Sequence, residues 1–214
     1  MTNIRPSHIA YADETSYNAG RIRGGGLVTL PSAVKPGIGN EIRKILYGSN
    51  VGEFAWEKLS GARERFAAIK LIGFMMEHAW TGHLRIDLLV WDTEDRRHKI
   101  PGRDDIANLG RKYYHLFRNT LKNRWLAGSA WLLKPDENSA IDRATLQECL
   151  RASSVEMMLS GPLFEEQDHL GRLRLDLDVL DIQPSVSSEE PLIQLADLFV
   201  GMAIYSHERY ERYV

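Results

Sequence analysis

The chain has 214 residues, of which 43% are hydrophobic and 26% charged, as is usual for a globular protein with an ordinary core. Its formal net charge is −2. A protein that coats nucleic acid through charge alone is usually basic, so the composition argues against a passive nucleic-acid binder. A metal-dependent nuclease is not excluded, because bound cations bring positive charge to such a site.

The cysteine content and the first residues of the chain indicate the cellular compartment of the protein. The single Cys149 cannot form an internal disulfide, which fits a reducing compartment. The opening MTNIRPSHIAY has no apolar segment of the kind found in signal peptides, and no apolar run approaches membrane-spanning length. We therefore expect a cytoplasmic protein with no membrane partner.

Hydrophobic periodicity predicts alternating strands and helices along the chain. In chain order these are strands at 8–14 and 21–31, a short helix at 36–48, a strand at 52–60, a helix at 61–82, a strand at 83–93, a helix at 106–128, a strand at 129–137, a helix at 139–153, a strand at 172–183 and a helix from 191. This order indicates a mixed sheet covered by helices. We expect one domain, 1–214, with inserted segments at about 93–104 and 160–187.

The second predicted strand carries a run of glycines in RIRGGGLVTLP. Glycines inside a strand indicate a bulge or the close approach of another backbone. A phosphate-binding loop is the alternative, but the helix that should follow such a loop is missing.

The closing helix, PLIQLADLFVGMAIY, is apolar on nearly every face, yet Asp197 lies in its middle and Gln194 one turn earlier. A lone buried carboxylate costs several kcal/mol or more unless something pairs with it. The partner of Asp197 is either a cation, an arginine or a set of structural hydrogen bonds.

Two predicted strands end in acids, Asp13 in the first and Asp92 in the strand at 83–93. If the first strand is central and the second lies parallel beside it, the two carboxylates end side by side, and Asp197 can join them. Three such carboxylates repel one another, so a cation is the natural fourth party, and oxygen ligands favour Mg²⁺ or Mn²⁺. The alternatives are a turn residue at Asp13 and a loop cap at Asp92.

Three segments resemble a known family, the domain-of-unknown-function family numbered 3800: IAYADETS, WDTEDRRHKIPGRDDIANLGRKYYHLF and SVSSEEPLIQLADLFVGMAIYS. That family is thought to be ribonuclease H-like and related to nucleases, integrases and resolvases that use two metal ions. The resemblance implies an α/β fold, a ribonuclease H-like mixed β-sheet flanked by α-helices, with Asp13 and Asp197 as metal ligands. Thr15 stands where the family commonly has serine, and Ser16 can supply that hydroxyl.

Two residues are candidates for a fourth acid of this metal site. Glu53 resembles a family position where a glutamate is followed by a basic residue, although the first basic residue here is Lys58. Asp136 ends the strand at 129–137, which we expect one place farther from Asp13, so we place Glu53 ahead. The acids of the DLDVLD stretch are interpreted as a solvated strand face.

The predicted function is that of a divalent-metal-dependent nuclease that hydrolyses phosphodiester bonds of nucleic acid by a two-metal-ion mechanism. Two Mg²⁺ or Mn²⁺ ions would be held by Asp13, Glu53, Asp92 and Asp197. Lys58 would neutralise developing charge or orient the attacking water.

A basic loop follows Asp92 and contains Arg96, Arg97, His98 and Arg103. It either positions substrate phosphates or is a solvated loop paired with neighbouring acids. The alternative to an enzyme is a non-catalytic ribonuclease H-like module that binds a partner in a mobile-element or defence system. A protein partner or a homo-oligomer is compatible with both hypotheses.

Overall fold

The computed structural model describes residues 5–15, 20–95, 105–126, 128–139, 141–159 and 177–210. A short 3-10 turn, Trp56–Lys58, lies between the first two helices. The strands and helices of the described residues are, in chain order, β1 (His8–Thr15), β2 (Ile22–Pro31), α1 (Lys35–Gly48), α2 (Ala62–Trp80), β3 (Arg85–Asp92), α3 (Asp105–Asn123), β4 (Ala130–Pro135), α4 (Arg143–Leu159), β5 (Asp178–Ile182) and α5 (Pro191–Tyr210).

The strands form one sheet in the order β3-β2-β1-β4-β5. β2 is antiparallel to both β1 and β3, whereas β4 is parallel to β1 and β5 is parallel to β4. β1 is therefore central, and its carboxyl end lies next to the carboxyl end of β4. The predicted α/β class, a mixed sheet flanked by helices, is confirmed.

Helices cover both faces of the sheet because the central strands are apolar on both sides. One face packs against α1, α2 and α5 through a core that includes Tyr11, Val28, Leu30, Ile42, Leu71 and Leu195. The other face packs against α3 and α4 through a core that includes Ala10, Leu27, Leu133, Tyr113, Phe117 and Leu150. The result is three layers, with the sheet in the middle.

The glycines of β2 allow α5 to lie directly on the sheet. A Cβ atom at Gly26 would stand 2.8 Å from the backbone oxygen of Ala196, and one at Gly24 would stand 2.6 Å from Cγ2 of Val200. Both distances are shorter than a Cβ atom can keep to a non-bonded neighbour, so the close approach expected from the glycine run is confirmed. The glycines lie within a strand, not in a phosphate-binding loop.

Three expectations about the strands are wrong. Residues 52–60 form a loop and the 3-10 turn instead of a strand. β3 lies at the sheet edge, separated from β1 by β2, while β4 takes the place beside β1 that was expected for β3. Part of the expected insertion at 160–187, Asp178–Ile182, is β5 of the main sheet.

Among the described residues, no helix is both long enough and apolar enough to cross a bilayer.

Candidate functional site

A cavity of about 530 Å³ opens at the edge of the sheet where β1 and β4 end. Among the described residues, its lining is rich in carboxylates and contains one lysine. The charged side chains that line it are Asp13, Glu14, Glu53, Glu57, Lys58, Asp136 and Asp197.

Asp13 and Asp136 are neighbours because the strands that carry them are parallel. Ala12 pairs with Pro135 in the register of β1 and β4. The backbone N–H of Asp136 then donates a hydrogen bond of 2.9 Å to the carbonyl oxygen of Ala12. Asp13 and Asp136, which each follow the last residue pair of these two strands, therefore lie at the same end of the sheet, the usual place for ligand sites in such folds.

The carboxyl group of Asp13 is placed where ionisation is unfavourable. Burial is the largest cause, and the nearby carboxylates of Asp197, Asp136 and Glu14 add repulsion. Together they raise the pKa of Asp13 to about 9, although the backbone N–H of Glu14 donates a 2.8 Å hydrogen bond to its Oδ1. A group with such a pKa binds either a proton or another cation at neutral pH.

Asp136 and Asp197 experience the same environment. Burial is the main cause that raises the pKa of each, and Asp136 adds repulsion at Asp197. Oδ1 of Asp136 is buried and has no hydrogen-bond partner among the described residues. A buried carboxylate oxygen without a donor is costly, so this atom is free to accept a cation.

Asp197 accepts hydrogen bonds from the loop that replaces the predicted third strand. Its Oδ2 accepts a bond of 2.6 Å from the backbone N–H of Trp56, and its Oδ1 accepts a long one of 3.4 Å from the Thr15 hydroxyl. Thr15 therefore contributes a hydroxyl to this carboxyl group, while Ser16, the residue expected to supply one, lies outside the described residues. Neither of these two donors is an arginine, which was one of the alternative partners for Asp197.

One face of α5 contacts this loop through residues on three successive helical turns. Gln194 accepts a 2.8 Å hydrogen bond from the backbone N–H of Phe54, one turn before Asp197 holds Trp56. One turn later, the indole ring of Trp56 lies on Gly201, where an added Cβ would stand 2.2 Å from the ring. The loop therefore depends on α5 for both its backbone hydrogen bonds and its packing.

Both candidates for the fourth acid line the cavity. Glu53 accepts a short hydrogen bond from the Ser187 hydroxyl, and its charge raises the pKa of Asp136. The expectation that Asp136 lies farther from Asp13 is wrong, because β4 pairs directly with β1. Lys58 is exposed at the end of the 3-10 turn and also lines the cavity.

Asp92 does not belong to this site, which corrects the sequence-based expectation. β2 separates its strand from β1, and Asp92 pairs with Ile22 in the sheet. Its carboxylate accepts a 2.6 Å hydrogen bond from the Arg21 guanidinium, which is the main reason its pKa is lowered. The N–H of Glu94 donates to its other oxygen, so Asp92 acts as the loop cap that was the alternative.

Glu14 was not identified from the sequence, although it lines the cavity beside Asp13. Its carboxylate accepts a short hydrogen bond from the hydroxyl of Tyr113 on α3. Tyr113 is buried in the α3 core, and burial is the largest cause that raises its pKa. The sequence did carry a signal for Glu14, namely two consecutive acids at 13 and 14. Because consecutive strand residues face opposite sides of a sheet, one of these two acids must face the side opposite to the other.

Arg96, Arg97, His98 and Arg103 lie outside the described residues. In the part of the chain that the structure describes, no three Asp, Glu, His or Cys side chains stand close enough together, as placed, to hold one metal ion. The acids share a cavity but are not arranged as a preformed coordination shell.

The fold is shared with a solved structure. This chain superposes on a chain of the PCNA:RNase HII complex from Archaeoglobus fulgidus with a TM-score of 0.50 and 12% sequence identity, over 96% of this chain and 77% of the other. The protein therefore has a ribonuclease H-like fold. At this level of identity the likeness concerns the fold alone.

Sequence relatives define the family more narrowly. The uncharacterized proteins ORF2 and ORF2′ of Methanothermobacter thermautotrophicus are 33% and 34% identical to this chain over 216 and 212 residues. Each match covers 95% of this chain and 69% of the relative. The chain belongs to the family of these ORF2 proteins. No family model matches it, so the resemblance to the family numbered 3800 stays a prediction.

Proposed function

We propose that this protein is a divalent-cation-dependent nuclease that hydrolyses phosphodiester bonds in nucleic acid. The observation that carries the proposal is the set of carboxyl groups of Asp13, Asp136 and Asp197, which line one cavity where two parallel strands end. Burial is the largest cause that raises the pKa of each of the three, and repulsion from neighbouring carboxylates adds to it. Such an arrangement is unfavourable for stability and favourable for binding a cation.

The donor set fits a hard cation. The candidate ligands that line the cavity among the described residues carry oxygen atoms, which suits Mg²⁺ or Mn²⁺ rather than Zn²⁺. The unpartnered Oδ1 of Asp136 supports this fit. Because the acids are not preformed as a coordination shell, binding requires their side chains to rotate. Asp13, Asp136 and Asp197 would hold the ion, and Glu53, which lines the same cavity, is the candidate for a further ligand.

A bound divalent cation would stabilise charge on the scissile phosphate and lower the pKa of a water molecule. The chain's own contribution is to hold that cation with its acids and to offer the Lys58 ammonium to a substrate phosphate at the cavity rim. In the reaction, a water oxygen bonds to phosphorus and the bond between phosphorus and the 3′ oxygen breaks. The products are a 3′-hydroxyl and a 5′-phosphate.

The substrate contacts are proposed for Arg96, Arg97, His98 and Arg103. Support comes from where the segment joins the described chain: β3 runs parallel to β1, two strands away, so it ends at the sheet edge where the cavity opens. Basic side chains in the segment that follows β3 are suited to phosphate contacts that position the nucleic acid without reading its sequence.

Cleavage assays with two substitutions at Asp197 test the proposal, because Asn and Ala affect its two roles differently. Asp197→Asn keeps an oxygen that can accept the Trp56 N–H but removes the charge, whereas Asp197→Ala removes both. We expect both variants to lose activity on labelled DNA and RNA by roughly 100-fold or more, and only the alanine variant to lose stability. Asp92→Asn is the matched control and should retain full activity.

The competing hypothesis is a non-catalytic partner-binding module with the same fold. It is favoured by the hydrogen bond between Asp197 and Trp56, which is a structural role that requires no metal. Full stability together with Mn²⁺ binding that is unchanged in Asp197→Asn would support this module and contradict the nuclease.

A further inference from the structure

Helix α2 exposes a stripe of large apolar side chains on the side opposite to its buried face. Its inner face is buried through Ala67, Ala68, Leu71, Phe74 and Met75. The outer stripe is formed by Phe66, Ile69, Gly73, Met76 and Trp80, which are spaced by three or four residues. A helix that is apolar on opposite faces is normally covered on both of them.

The exposure of this stripe is large. Trp80 is 92% exposed, Ile69 69%, Met76 65% and Phe66 51%. One large aromatic side chain presents about 150–250 Å², so the four together present on the order of 500 Å² of apolar surface. A continuous patch of this size on a monomer is at the upper end of what is usual and marks an interaction site.

We propose that α2 is the interface of a homodimer, in which the stripe packs antiparallel against the same stripe of a second copy. Two copies would bury about 1,000 Å² from these side chains alone, close to the roughly 1,200 Å² at which stable interfaces begin. The stems of flanking charged residues add the remainder. An isologous contact of this kind closes by itself and leaves no second copy of the patch exposed.

The stripe is complementary to itself in shape. An antiparallel pairing centred between Phe74 and Met75 places Gly73 opposite Met76 of the second copy, and Ile69 opposite Trp80. A Cβ atom at Gly73 would meet nothing within 4 Å in the chain, so the space above it is open to the larger side chain. Small residues facing large ones are how two packed helices interdigitate.

The charges beside the stripe favour the same register. Lys70 and Glu77 are exposed and follow the stripe residues Ile69 and Met76 by one position. In this register Lys70 of each copy lies next to Glu77 of the other, which gives two equivalent ion pairs. Within one chain the Lys70 ammonium lies 4.2 Å from the centre of the Phe66 ring, so it is already on the stripe side of the helix.

Sedimentation velocity of the whole chain over a range of concentrations tests the interface. We expect a monomer–dimer equilibrium that Ile69→Glu and Met76→Glu each weaken by at least about tenfold, since a charge is then buried opposite an apolar partner. Leu126→Glu is the matched control, because Leu126 is 85% exposed outside α2, and it should sediment like the unchanged protein. Circular dichroism checks that each variant folds.

Charge reversal tests the register and leaves the apolar stripe intact. Lys70→Glu and Glu77→Lys should each weaken the dimer, because each places like charges next to each other across the interface. The double variant should restore the dimer affinity to within about twofold, because it forms the two ion pairs again with their signs exchanged. Exposed ion pairs of this kind set register more than affinity. A wild-type chain that stays monomeric at all concentrations overturns the proposal, as does a dimer that tolerates both glutamate substitutions. A double reversal that is no tighter than the single reversals overturns the register.

Discussion

Replacing Asp13 by asparagine is expected to stabilise the metal-free protein while removing its ability to bind a cation. The folded chain raises the pKa of the Asp13 carboxyl to about 9, above all through burial and then through Asp197 and Asp136. At neutral pH this group therefore carries a proton in the folded state and releases it on unfolding. Asparagine has a similar shape and is neutral in both states, so unfolding gains nothing from its ionisation.

The magnitude follows from linkage between protonation and folding. Each pKa unit corresponds to about 1.4 kcal/mol, and pH 7 lies about three units above the unfolded-state pKa of 3.8. Ionisation in the unfolded state thus favours unfolding by up to about 4 kcal/mol at pH 7, but by only about 1.6 kcal/mol at pH 5. Because the raised pKa belongs to the folded state, this contribution is absent below about pH 4 and grows until about pH 9.

Urea unfolding at about pH 5, 7 and 8 with a chelator present measures this effect by the linear dependence of unfolding free energy on denaturant. We expect Asp13→Asn to be more stable than the unchanged protein by about 1–4 kcal/mol at pH 7 and by less at pH 5. Asp92→Asn is the control and should show no such pH-dependent gain. A variant that loses stability at every pH would show that Asp13 is an ionised structural acid, which refutes this reasoning.

Four further substitutions have distinct expected outcomes. Gly201→Ala should lower the free energy of unfolding by about 1–3 kcal/mol and weaken Mn²⁺ binding, because its new Cβ displaces the Trp56 ring and the loop that this ring anchors. Urea unfolding measures the first effect and calorimetry the second. An unchanged cation affinity would contradict the dependence of the cation site on this loop. Asp92→Asn should leave Mn²⁺ affinity unchanged within about twofold, and a loss of binding in calorimetry would return this residue to the site. Gly26→Ala should destabilise the folded protein by about 1–3 kcal/mol, because the α5 backbone leaves no room for a Cβ atom. Gly37→Ala, which adds a Cβ in open space on α1, should be neutral or stabilising by up to about 1 kcal/mol. Equal urea midpoints for the two variants would contradict the close approach of α5 to β2.

Local patterns predicted most of the elements, because alternation and helical spacing record which side of each element is buried. The stretch at 52–60 shows where such patterns are ambiguous. Its backbone is extended at Ala55, with φ −139° and ψ 138°, so Phe54 and Trp56 share one side of the chain, as residues two apart do in a strand. Their N–H groups are bound by side chains of α5 instead of a neighbouring strand, and the sequence does not record that choice of acceptor.

Strand order decided which acids meet, and it depends on pairings between distant parts of the chain. Asp92 and Asp136 both follow apolar strands and are equivalent as local signals. β2 returns antiparallel between β1 and β3, so Asp92 is held away, while β4 pairs with β1 and brings Asp136 beside Asp13. Asp197 was recognised because an acid in an otherwise buried helix requires a partner wherever that helix packs.

Titration of the protein with Mn²⁺ in a calorimeter near neutral pH tests whether these acids form a cation site. We expect saturable binding that releases protons, because the cation replaces the proton held by Asp13. Binding should be lost or weakened by at least about tenfold in Asp13→Asn and Asp136→Asn, and kept in Asp92→Asn. Absence of binding up to several millimolar Mn²⁺, or binding that both cavity variants retain, would contradict the claim.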